Sequence, residues 1–167
     1  ESVTAFLGSE PLFPVGTAPA TVGLQANRNQ GSGVSATLIA QEGGVGMIMG
    51  QAETSDNIGS GMMLTLSGRE EVTLYMGLSG IGTNIVSAPV VANRNQGLGI
   101  LANLVSQEDS ATMLLLEGET SQNAGSGLTA LVTGGEETLV GVGLFPFAAV
   151  EGGGFVADGN VGGYGIN

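Results

Sequence analysis

The chain has 167 residues, fifteen acidic side chains against three basic ones, and a formal net charge of -12. The basic residues are Arg28, Arg69 and Arg94, and His and Cys are absent. Without His, Cys or Lys there is no ordinary general base near neutral pH, no thiolate nucleophile, no disulfide and no Schiff-base lysine, so catalysis is not expected.

A surface of this charge repels phosphate backbones and anionic bilayers, which argues against nucleic acid and membrane partners. No apolar run approaches the roughly 20 residues that a membrane helix needs. The core must be built from aliphatic side chains on glycine-rich backbone, because the chain has 31 Gly, 2 Tyr and no Trp.

The head, residues 1–14, opens on Glu1, which reads as a processed start compatible with secretion. Val3, Ala5 and Leu7 then alternate until Pro11 and Pro14 break the pattern. The alternation predicts a strand free to add to a neighbour.

Residues 15–80 form a first β unit and residues 81–146 a second, at an offset of 66 (Ala26 to Ala92). Ala26-Asn27-Arg28-Asn29-Gln30-Gly31 returns as Ala92-Asn93-Arg94-Asn95-Gln96-Gly97, and Gly59-Ser60-Gly61 returns as Gly125-Ser126-Gly127. About 26 of roughly 66 aligned positions are identical without a gap, which marks a tandem duplication.

Apolar residues recur with period two in each unit, the mark of half-buried strands. The first unit is expected to hold strands near 20–26, 33–40, 45–53, 61–67 and 71–78. The second is expected to hold them near 86–92, 99–106, 111–119, 127–133 and 137–144. Met47-Ile48-Met49 and Met113-Leu114-Leu115-Leu116 do not alternate, as suits strands covered on both faces. The expected fold is all-β, with tandem five-stranded units forming a pseudo-twofold sandwich or barrel with little or no helix.

Asn27, Arg28, Asn29, Gln30 and their copies Asn93, Arg94, Asn95, Gln96 read first as hairpin turns. There Gly31 would take a positive φ, and the arginines would meet Glu42 and Glu108 or Glu53 and Glu119. The same amides and guanidinium could form a polar pocket for sugar hydroxyls. Glu70-Glu71 and Glu136-Glu137 fall where hairpin turns are expected, and neighbouring strand residues point to opposite faces, so neither pair forms one carboxylate site. Asp158-Gly159-Asn160 is too short for a calcium loop, and no metal or other cofactor is expected.

The tail, residues 147–167, is glycine-dense and carries Phe155, Val156 and Tyr164. With Val3, Ala5 and Leu7 these are the expected assembly contacts, adding a strand to a neighbouring subunit or filling a groove there. The sequence therefore points to a self-assembling structural subunit, a homo-polymer at the cell surface or outside the cell, as a filament, pilus-like fibre, matrix or coat. The alternatives are a two-site carbohydrate-binding lectin module and a virus or phage decoration protein.

Overall fold

The structure is a computed structural model that describes residues 2–7, 24–79, 86–87, 89–142, 155–157 and 160. Every regular element among them is a strand, and no described helix is long and apolar enough to cross a membrane. The strands are β1 (Val3–Leu7), β2 (Leu24–Gln25), β3 (Val34–Ile39), β4 (Val45–Met49), β5 (Ala52–Glu53), β6 (Met62–Gly68), β7 (Val72–Met76) and β8 (Leu78–Ser79). They continue as β9 (Val86–Ser87), β10 (Val90–Val91), β11 (Ile100–Ser106), β12 (Ala111–Leu115), β13 (Gly118–Glu119), β14 (Leu128–Thr133), β15 (Thr138–Val142) and β16 (Phe155–Val156). The starts at 24, 34, 45, 52, 62 and 72 recur at 90, 100, 111, 118, 128 and 138. The expected unit boundaries at 14/15, 80/81 and 146/147 lie outside the described residues.

Consecutive strands are separated by too few residues to pair in parallel within one sheet, which takes a crossover of about a dozen residues or more. Each therefore turns onto a new face, and its partner is the strand one full turn away. Three parallel sheets result. The first has the order β1-β4-β7-β12-β15, the second β16-β13-β10-β5-β2 and the third β14-β11-β6-β3. From β2 onward the chain visits second, third and first sheets in that cyclic order. The described strands form a β-coil, and among them only the short pair β8 and β9 is antiparallel.

This replaces the expected sandwich or barrel. Period-two alternation reports a half-buried strand but not whether its partner is the next strand or the next turn. Asn27–Gly31 and Glu70-Glu71 are thus not hairpin turns: the first links β2 to β3 and the second links β6 to β7, each between different sheets. The single expected strand 45–53 is two, β4 and β5, bent at a corner at Gly50-Gln51, and 111–119 is likewise divided.

Inward side chains stack in columns because the pairing is in register from turn to turn. In the first sheet Met47, Leu74 and Met113 form one such column, and Met49, Met76 and Leu115 another. In the third sheet Leu66 lies beside Leu104, and Leu64 beside Ala102. All of these are buried. The alternation holds in β4, where Ile48 is half-buried, whereas β12 is covered on both faces at Leu114.

Among the described residues, the first-sheet columns end openly on the β15 side. Leu74 is 0% exposed, whereas Val140, its counterpart one repeat later and the last member of its column, is 46% exposed. Leu74→Ala should therefore cost about 2–5 kcal/mol. Val140→Ala should cost a small fraction of that. Urea denaturation midpoints of the two variants check the difference.

Candidate functional site

Every described turn of the coil makes the same corner between the second and third sheets. The turning residue is left-handed although it is not glycine: Arg28 (φ 58), Asp56 (φ 59), Arg94 (φ 54) and Gln122 (φ 57). Gly31, expected to take this conformation, does not, since Gly77 is the sole positive-φ glycine among the described residues. Glycine is needed at the corner for close approach instead. A Cβ on Gly33 would lie 2.8 Å from the Gly61 carbonyl oxygen, and one on Gly61 would lie 2.6 Å from that of Gly99. No side chain fits between turns stacked this closely.

The residue after each of these left-handed positions is Asn, and Asn29, Asn57, Asn95 and Asn123 form a ladder that Asn160 extends. The Asn57 amide N and Nδ2 both donate to Asn95 Oδ1, at 3.0 and 2.9 Å. Asn95 N and Nδ2 donate to Asn123 Oδ1, both at 2.9 Å, and Asn123 N and Nδ2 donate to Asn160 Oδ1, both at 3.0 Å. The second Nδ2 hydrogen goes to backbone, from Asn95 to the Thr54 carbonyl, Asn123 to Ala92 and Asn160 to Thr120. Asn95 and Asn123 thus use both amide hydrogens and both oxygen lone pairs, which is the full capacity of the side chain. At the other end, Asn29 donates to Asn57 Oδ1, but among the described residues no hydrogen bond reaches Asn29 Oδ1.

A second set flanks the ladder. Asn27 Nδ2 donates to Glu53 Oε1 at 2.9 Å, and its Oδ1 accepts from Ser55 N. Asn93 repeats this with Glu119 and Ser121. Arg94 forms a two-bond ion pair with Asp56, which holds the Asp56 carboxyl below its ordinary range, chiefly through the guanidinium hydrogen bond. Arg69 pairs with Glu108. Arg94, expected at Glu108 or Glu119, pairs with Asp56 instead, Glu108 is taken by Arg69, and Arg28 makes no ion pair among the described residues.

The two Asn-Arg-Asn-Gln motifs therefore share one corner, two turns apart, with Ser55-Asp56-Asn57 between them. Asn27, Asn93 and Asn95 direct their amides to the chain itself, while Arg28, Asn29, Gln30, Arg94 and Gln96 are exposed. A groove of about 380 Å³ lies on the second sheet, lined in part by Gln25, Gln51, Glu53 and Pro89.

The expected assembly residues fall on the margins of the coil. Val3 and Ala5 sit in β1, half-buried, with β1 in parallel register on β4. Leu7 ends that strand. Phe155 and Val156 form β16, paired with β13 of the same chain, and Val156 is exposed. Tyr164 lies outside the described residues.

Asn57, Asn123 and Asn160 are missed when the 66-residue repeat alone is considered. The signal was present: Asn29-Gln30-Gly31-Ser32-Gly33, Asn57-Ile58-Gly59-Ser60-Gly61, Asn95-Gln96-Gly97-Leu98-Gly99 and Asn123-Ala124-Gly125-Ser126-Gly127 share Asn-x-Gly-x-Gly. The ladder separations are 28, 38, 28 and 37 residues, so each repeat is two turns, one longer than the other.

No family model, no curated protein and no solved structure matches the chain.

Two substitutions test the corner. Asn95→Ala strands the buried Asn57 donors and should cost at least about 2 kcal/mol. Gln122→Gly removes a left-handed side chain that makes no hydrogen bond among the described residues and should stabilise by roughly 0.5–1 kcal/mol. Thermal unfolding followed by circular dichroism reads both, and a stabilising Asn95→Ala would contradict the role given to the ladder.

Proposed function

We propose that this chain is a structural, self-assembling subunit, with no catalytic role and no cofactor, that forms a filament, pilus-like fibre, matrix or coat at the cell surface or outside the cell. One observation carries this reading. In the third sheet, several side chains that are fully buried on the middle strands have counterparts on the edge strands that are only half-buried. Ile100, Ala102 and Leu104 in β11 correspond to Val34, Ala36 and Leu38 in β3, and Leu64 and Leu66 in β6 correspond to Ala130 and Val132 in β14. Both edges of the third sheet thus leave apolar surface that an interior turn would cover.

Open sheet edges are templates for further pairing, and repeat coils need their terminal turns covered to remain soluble. Among the described residues nothing pairs with the outer edge of β3 or of β14. Exposed acids on the flanks, among them Glu42, Glu70, Glu71, Glu108 and Asp109, disfavour side-by-side association and so favour contact through the ends.

Sedimentation velocity from micromolar to millimolar concentration, with negative-stain imaging, tests the proposal. The expected result is linear, concentration-dependent assembly with an axial rise of about 19 Å per subunit, four turns at about 4.8 Å each. A species that remains monomeric across that range, at both low and high salt, would overturn it.

A further inference from the structure

We infer that the contact surface between copies is end to end, with β14 of one copy pairing on β3 of the next in the register that β6 and β11 use inside the chain. This rests on the structural-subunit reading above. The repeat supplies the argument. β14 is the counterpart of β6, and β3 is the counterpart of β11. Within the chain β6 and β11 pair in parallel, Met62 with Ile100 and Met63 with Leu101. Transferred to two copies, Leu128 meets Val34 and Thr129 meets Ser35 of the next copy. The occupant of each open edge is thus a surface that the same sequence already recognises internally.

The other two sheets agree, and they reveal what stands in the way. In the first sheet the internal contact is β7 on β12, Val72 opposite Ala111. Its counterpart between copies is β15 on β4, which would lay Met47 of the next copy against the exposed Val140. That place on β4 is held by β1, Val3 opposite Val45. Val3-Thr4-Ala5-Phe6-Leu7 also resembles in pattern Val72-Thr73-Leu74-Tyr75-Met76, the strand on the other side of β4 and the repeat counterpart of β15.

In the second sheet the internal contact is β5 on β10, Ala52 opposite Val90. Its counterpart is β13 on β2 of the next copy. That place is held by β16, Phe155 opposite Gly118. The ladder repeats the substitution. Asn160 Oδ1 accepts from Asn123 where Asn29 Oδ1 of a neighbour would, and Asn29 Oδ1 receives no hydrogen bond among the described residues. The head and tail therefore occupy two of the three places in the interface, and assembly requires both to yield them.

The absence of native cysteine gives a clean test. Ser35→Cys with Thr129→Cys, in the full chain, places the two thiols three strand spacings apart within one molecule, about 14 Å. That is beyond the roughly 7 Å limit for a disulfide, whereas partners on adjacent strands at about 4.8 Å are within it. Mild oxidation should give an intermolecular ladder on a non-reducing gel. The pair Ser35→Cys with Thr133→Cys, four residues out of register, should give several-fold less.

Val3→Asp with Asn160→Ala, added to the first pair, weakens both occupying segments and should raise the cross-linked fraction several-fold. Circular dichroism of the reduced protein confirms that each variant retains its strands. If sedimentation shows assembly but the two cysteine pairs cross-link equally, this interface is wrong and the structural reading stands. If folded Val3→Asp/Asn160→Ala chains neither assemble nor cross-link, both fail. Monomers in which residues 8–23, 143–154 or 161–167 are found to cover β3 or β14 would also overturn it.

Discussion

The stacking of one turn on the next at the asparagine corner constrains everything else. Backbone hydrogen bonds set the spacing between turns, and the glycines that allow close approach admit nothing larger. Within that space a carboxamide is the one side chain type whose donors and acceptor can satisfy both its own turn and the adjacent one. An Asn-to-Asn ladder consequently fixes both the height and the rotation of successive turns. The strands downstream then fall into register, and the apolar columns follow from that register rather than create it.

The core has a matching logic. In-register parallel stacking places like beside like, so packing along a column depends on repeated aliphatic shapes. Leu66 beside Leu104 and Met49 beside Met76 fill their columns without aromatic bulk. Methionine suits such columns because its unbranched, flexible chain adapts to neighbours of unequal length. Interior turns are sealed on both sides and terminal turns on one, which is the origin of the contrast between Leu74 and Val140.

Strand positions were legible in the sequence because alternation in β3, β6 and β11 survives into the structure as alternating burial. Their partners were not legible, since the same alternation serves a hairpin and a coil. The distinguishing signal was the shorter spacing, Asn29 to Asn57, which is masked by the stronger identity between Asn29 and Asn95. The corner chemistry was half legible. Asn27 and Asn93 do bond locally, but the left-handed conformation falls on Arg28 and Arg94, because glycine is reserved for the tighter place two turns share. The ion pairs were illegible, as Arg94 reaches Asp56 across 38 positions of sequence.

The ladder has one more property. Each ladder carboxamide of Asn29, Asn57, Asn95 and Asn123 donates one hydrogen bond to the Oδ1 of the following turn, so the ladder oxygens of Asn57, Asn95, Asn123 and Asn160 all face the preceding turn, while the second Nδ2 hydrogens of Asn95 and Asn123 return to preceding-turn carbonyls. Aligned amide dipoles add, as they do along a helix. The carbonyls of the ladder thus contribute a dipole whose negative end faces the Asn29 side of the coil and whose positive end faces the Asn160 side. This dipole favours two coils meeting in the same orientation over two meeting like end to like end. The device that sets the height of a turn also gives the coil an electrical direction.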